Sequence, residues 1–121
     1  MNAFILDRIV RTLERDYHMN PVVGENTLCF DLRSNELKLH MMKSCTVRKF
    51  IRKETRIDES TGGKMVTVNV YNTVPFIGSI GDSNTVFITF TNDSNLDSQM
   101  INAIDYQLRE WFKTHSAFDL I

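Results

Sequence analysis

The chain has 121 residues, of which 42% are hydrophobic and 24% charged, with a formal net charge of −1 and a pI of about 6.3. This length predicts a single domain, residues 1–121, that can bury a core of its own. The near-zero net charge excludes a global attraction to nucleic acid or anionic lipid, so any such binding must come from a local patch.

A helix is predicted at the start of the chain. Asn2 can cap its first turn, and Asn20-Pro21 ends it. Between them, apolar residues recur at helical spacing opposite a charged side, at Leu6, Ile9, Val10, Leu13 and Tyr17.

The next segment alternates apolar and polar residues on both sides of the polar turn Arg33-Ser34-Asn35. Apolar residues occupy every second position, at Leu28, Phe30 and Leu32 and then at Leu37, Leu39 and Met41. Period two on both sides of a turn predicts a β-hairpin with one buried face.

The stretch VRKFIRKETR, residues 47–56, contains five basic residues and one acidic residue. As a strand it places Arg48, Phe50, Arg52, Glu54 and Arg56 on one face and Val47, Lys49, Ile51, Lys53, Thr55 and Ile57 on the other. Both faces mix charged and apolar residues, and a helix over 45–57 stays an alternative. A strand is favoured because the turn at 58–63 and the alternating strand after it, with Val66, Val68 and Val70, need a partner. Charge on both faces predicts an edge or projecting strand.

The chain closes with a strand, NTVFITFT, and a helix from Asp93-Ser94 to about Thr114. The apolar stripe of this helix comprises Leu96, Met100, Ala103, Ile104, Leu108, Trp111 and Phe112. Together the elements predict a two-layer α+β fold. It has an antiparallel sheet of about five strands, in the chain order α-β-β-β-β-β-α, with the N- and C-terminal helices on one face.

No motif nominates catalysis, a cofactor or a metal. Gly62-Gly63-Lys64 lacks the rest of a phosphate-binding loop and precedes a strand rather than a helix. The three histidines lie far apart, and no His or Cys pair has metal-ligand spacing. We therefore expect a protein that is not an enzyme and needs no cofactor or metal, while a small-ligand pocket is left open.

The sequence also predicts a cytoplasmic location. Cys29 and Cys45 form no Cys-rich framework, and residues 1–20 are too charged for a signal peptide. No apolar run is long enough to span a membrane.

Two apolar segments do not fit a two-layer domain and predict a partner interface. Pro75, Gly78 and Gly81 argue against a regular strand between 73 and 82 although the segment is apolar. The predicted interface residues are Val74, Phe76, Ile77 and Ile80 in this loop and Phe118, Leu120 and Ile121 in the C-terminal tail. The leading hypothesis is a non-enzymatic interaction or assembly component that forms a homo-oligomer or joins a larger protein assembly. Its small, Asn-rich composition suggests phage or mobile-element origin, in the host cytoplasm or virion.

The alternative is a nucleic-acid-binding module that uses a basic β-ribbon over residues 43–56. The candidate phosphate contacts are Lys43, Arg48, Lys49, Arg52, Lys53 and Arg56. Phe50 and Tyr71 could stack on bases, so the ribbon could hold single strands by charge and stacking together.

Overall fold

The computed structural model describes residues 3–115, apart from the side chains of residues 3 and 5. Its elements in chain order are α1 (Ala3–Tyr17), β1 (Val22–Val23), β2 (Thr27–Asp31), α2 (Asn35–Ser44), β3 (Thr46–Asp58), a 3₁₀ turn (Glu59–Thr61), β4 (Lys64–Pro75), β5 (Ile77–Ser79), β6 (Thr85–Thr89) and α3 (Ser94–Thr114). The predicted α+β class is confirmed, with antiparallel sheets between helices at the two ends.

The main sheet has four antiparallel strands in the order β1-β2-β6-β5. In its centre Leu28 pairs with Ile88 and Phe30 pairs with Val86. All four side chains are buried, whereas the residues between them on each strand are less so. Because side chains alternate along a strand, this register places one apolar face of the sheet against the core.

The terminal helices α1 and α3 pack against that same core and contact each other. Ile9 and Leu13 of α1 and Leu108 of α3 are almost completely excluded from solvent. Tyr17 stacks on Phe112 with ring centroids 5.0 Å apart, which joins the end of α1 to the end of α3. Each fully buried Leu or Ile side chain contributes about 1.5–3 kcal/mol to folding.

The prediction that Leu37 to Met41 form the second strand of a hairpin is wrong, because this segment lies in α2. Ser34 caps the helix, and its Oγ accepts a hydrogen bond from the Leu37 N–H at 3.2 Å. Leu37 and Met41, four residues apart, are both buried, while Leu39 points to solvent. Positions 37 and 41 fit the helical period of 3.6 residues as well as they fit a strand period of two, so the sequence pattern allowed both elements.

Strands β3 and β4 form a separate two-stranded antiparallel sheet, from the pair Thr46–Pro75 to the pair Asp58–Lys64. We call residues 46–75 the arm. Gly62 and Gly63 close its tip at φ of 80° and 84°, the left-handed region that glycine adopts freely. No residue from 48 to 73 is buried. The strand interpretation of 45–57 is confirmed, and of the two predicted positions, at an edge or projecting, the strand takes the projecting one, in a sheet of its own.

Candidate functional site: the arm and its base

A β-bulge between Phe50 and Arg52 determines which side chains share a face of the arm. Beyond the bulge Arg52 pairs with Val70, Glu54 with Val68 and Arg56 with Val66. The sequence pattern predicted that Arg48, Phe50, Arg52, Glu54 and Arg56 share one face, and the bulge divides this set between the two faces. Arg48 and Phe50 lie on one face, and Arg52, Glu54 and Arg56 lie on the other.

We call the two sides the valine face and the aromatic face. The valine face continues from the core outward and comprises Val47 and Val74, then Lys49 and Asn72, then Arg52, Glu54 and Arg56 beside Val70, Val68 and Val66. The aromatic face comprises Arg48, Phe50, Lys53, Thr55 and Ile57 beside Thr73, Tyr71, Asn69, Thr67 and Met65.

Three charged side chains on the valine face form one ion cluster. Arg52 Nε donates to Glu54 Oε1 at 2.7 Å, and Arg56 Nη2 donates to Glu54 Oε2 at 2.8 Å. These bonds, that from Arg56 first, hold the pKa of the Glu54 carboxyl below its ordinary value. Two of the five basic residues in the basic stretch are thus bound by a carboxylate of the same strand, which reduces the charge that the arm offers to a partner.

The aromatic face begins in a groove where the arm meets the start of α3. The Phe50 and Tyr71 rings lie edge to face, with centroids 5.9 Å apart, and the Arg48 guanidinium carbon lies 4.6 Å from the Tyr71 centroid. The groove has a volume of about 410 Å³ and is lined by Arg48, Lys49, Phe50, Tyr71, Asp93, Asn95, Leu96 and Gln99. We call it the base groove.

The carboxylate in the base groove is already used by the helix. Asp93 is the N-cap of α3, and its Oδ1 accepts from the backbone N–H groups of Asn95 and Leu96 at 3.0 and 3.1 Å. One turn further on, the buried Asp97 accepts from the backbone N–H and the hydroxyl of Thr91, at 2.8 and 3.0 Å. The polar groups at this end of α3 therefore fix the helix to the turn after β6.

Most of the apolar loop predicted as a partner interface packs against the core of its own chain. Ile77 is only 6% exposed and pairs with Ile88 as part of β5, and Val74 and Phe76 pack against the core from half-buried positions. Ile80 is exposed. The predicted tail residues Phe118, Leu120 and Ile121 lie outside the described residues.

Residues 77–79 form a strand that pairs with β6, and Gly78 is required at its centre. A Cβ at Gly78 would lie 2.4 Å from Cζ of Phe87, so the absence of a side chain lets the Phe87 ring cover this edge strand. The expectation that Pro75 and Gly78 prevent a regular strand is therefore wrong for residues 73–75, which end β4, and for residues 77–79. The apolar character of the loop follows from its place at the edge of the core.

The predicted phosphate contacts do not form one continuous patch. Arg48 and Lys49 border the base groove, while Lys53 is exposed on the aromatic face. Arg52 and Arg56 are bound to Glu54 on the opposite face. Lys43 lies in the last turn of α2, outside the arm.

A charge difference between the arm and the rest of the chain was missed by the sequence interpretation. The arm carries six Lys or Arg against three Asp or Glu, while the remaining residues carry eight against twelve. The arm is thus a basic element attached to an acidic remainder. Counting charge by segment, once the hairpin was recognised, would have revealed it.

Chemistry among the described residues could come from a metal-ligand cluster or from the buried thiol. No group of three or more His, Cys, Asp or Glu among residues 3–115 could hold a metal ion. Burial raises the pKa of the Cys45 thiol to about 12, which keeps it protonated and unreactive at neutral pH. A further depression, beside the end of α1, is lined by Glu14, His18, Met19, Asn20 and Pro21.

Within the described part of the chain, none of the helices combines the length and apolar character needed to cross a bilayer. Comparison of the chain with protein-family models, with curated proteins and with solved structures finds no significant match.

Proposed function

We propose that this protein is a non-enzymatic assembly component that self-associates through its arm. The observation that supports this is the exposure of apolar side chains along a ribbon of only two strands. The exposed fractions are 50% for Phe50, 48% for Ile51, 63% for Ile57, 73% for Met65 and 44% for Tyr71. A two-stranded ribbon is marginally stable in water by itself, so a partner that covers these side chains stabilises the arm as well as the complex.

A second copy of the chain fits the arm as a partner. The basic arm and the acidic remainder carry opposite net charge, which favours the encounter of two copies. Both long edges of the ribbon are also unpaired, since β3 and β4 pair only with each other among the described strands. Unpaired edges offer backbone hydrogen-bonding groups to a neighbouring chain.

The test is the native mass of the wild-type protein beside that of a variant with a shortened arm. In this variant an Asn-Gly turn replaces residues 50–71, which removes the exposed apolar side chains and leaves the core intact. Light scattering after size-exclusion chromatography at micromolar concentration should give a wild-type mass above that of one 14.0 kDa chain, and a monomeric mass for the variant. A wild-type protein that stays monomeric would overturn the proposal.

Binding of single-stranded nucleic acid is a second candidate function. Arg48, Lys49 and Lys53 are exposed and form no ion pair in the described part of the chain. Arg48 and Lys53 share the aromatic face with Phe50 and Tyr71, and Lys49 borders the base groove. Charge and stacking together are the means by which proteins hold single strands without sequence preference.

Fluorescence anisotropy with a labelled single-stranded oligonucleotide tests this second function. Three phosphate contacts predict a slope of about −2 for the logarithm of the binding constant against the logarithm of salt concentration. Reversal of charge at Arg48, Lys49 and Lys53 should abolish binding while the fold is kept, whereas the same change at Arg52 and Arg56, which are bound to Glu54 on the other face, should affect it less. A flat salt response would exclude this function.

A further inference from the structure

The aromatic face of the arm carries an exposed apolar pair at each end. Phe50 and Tyr71 are cross-strand partners at the base, and Ile57 and Met65 are cross-strand partners at the tip. Polar residues separate the two pairs, namely Lys53, Thr55, Thr67 and Asn69. The tip pair is the more exposed of the two.

The two ends also differ in charge. At the tip, residues 57–65 carry two carboxylates, Asp58 and Glu59, against one cation, Lys64, and Glu59 is exposed. At the base, two cations, Arg48 and Lys49, border the groove against one carboxylate, that of Asp93. The tip is therefore apolar with an acidic residue, and the base groove is aromatic with a basic rim.

We propose that the arm tip of one copy docks in the base groove of a second copy, with Ile57 and Met65 against Phe50 and Tyr71 and with Glu59 near the basic rim. This inference rests on the proposed self-association and specifies which residues touch in it. The tip of an arm cannot reach its own groove, because Phe50 and Ile57 lie about 20 Å apart along an extended strand. Contact of the Met65 sulfur with an aromatic ring adds to the apolar burial.

The volume and composition of the groove agree with this occupant. A groove of about 410 Å³ accommodates a pair of aliphatic side chains, and Leu96 of α3 extends its apolar surface beyond the two rings. The amide side chains of Asn95 and Gln99 line the same groove and can bond the polar backbone of a turn such as residues 59–63.

Disulfide trapping tests the contact, in protein with Cys29→Ser and with the buried Cys45 kept. A tagged Met65→Cys chain is mixed with an untagged Tyr71→Cys chain, oxidised mildly and analysed by mass spectrometry. The matched control replaces Met65→Cys by Val66→Cys, one residue along on the opposite face. We expect at least a fivefold higher yield of mixed disulfide with Met65→Cys. Equal yields from an oligomeric protein would overturn the proposed contact.

Charge exchange gives a second, independent test. Glu59→Lys and the double variant Arg48→Glu/Lys49→Glu should each lose most of the assembly, because like charges then meet at the contact. A 1:1 mixture of the two should assemble again, since each tip then meets a groove of opposite charge. A mixture no better than its components would contradict the contact, whereas a monomeric wild-type protein would remove the proposed function itself.

Discussion

Removal of the arm should leave the rest of the protein folded. An Asn-Gly turn in place of residues 50–71 joins Lys49 to Asn72, which are already cross-strand partners. Asn-Gly favours the type I′ turn whose twist matches a two-residue hairpin. The variant thus retains the root of the arm, with the buried Val47 and its half-buried partner Val74.

The expected change in the free energy of unfolding follows from what the arm buries. All buried core residues, and all apolar residues packed against them, lie outside residues 48–73. Truncation of a single buried Leu or Ile costs about 2–5 kcal/mol, and the excision removes none. The loop between Lys49 and Asn72 becomes about tenfold shorter, which lowers the entropic cost of closing it by about 2 kcal/mol. We therefore expect a change of no more than about 2 kcal/mol.

Urea denaturation measures this change through Trp111, the single tryptophan of the chain, which packs against the core from α3. A smaller m-value is expected as well, because the shortened chain exposes less surface on unfolding. A loss of more than about 4 kcal/mol, or a transition that is no longer cooperative, would show that the arm belongs to the core and would refute the division into arm and remainder.

Three further predictions concern single side chains. Asp97→Ala should lower the free energy of unfolding by about 1–3 kcal/mol in urea denaturation, because it removes the two hydrogen bonds by which a buried carboxylate holds Thr91 in the turn after β6. A thiol reagent should modify Cys29 in the native protein and Cys45 only after unfolding, because burial holds the Cys45 pKa at about 12; modification of both thiols in native protein at equal rates would contradict this. NMR titration should give the Glu54 carboxyl a pKa below its ordinary value, and the pKa should rise in Arg56→Ala. In the wild-type protein the ionised carboxyl therefore contributes stability at neutral pH, and this contribution is lost as the pH falls through the lowered pKa.

The elements predicted correctly from sequence are those whose pattern fits a single period. The strand at 66–70 alternates valine with polar residues and has no helical interpretation, and the terminal helices have stripes too long for strands. The segment from Leu37 to Met41 fits both periods, so its local pattern could not decide between strand and helix. The Ser34 cap, which did decide it, was interpreted as part of a turn.

The candidate site was less predictable, because it depends on a bulge and on contacts distant in the chain. The bulge after Phe50 reverses which residues of β3 share a face, and neither face was clean enough in sequence to indicate it. The base groove joins Arg48 to Asn95 and Gln99, which only the tertiary fold brings together. The strand at 77–79 was hidden because Gly78, a breaker in isolation, is needed here for the contact with Phe87.

Hydrogen–deuterium exchange along the arm, measured at two protein concentrations, tests the central claim most directly. If a second copy covers the arm, amides in the peptide covering residues 50–71 should exchange several-fold more slowly at high than at low concentration, while those of β2 and β6 stay unchanged. Exchange in the arm that is fast and independent of protein concentration would contradict self-association through the arm.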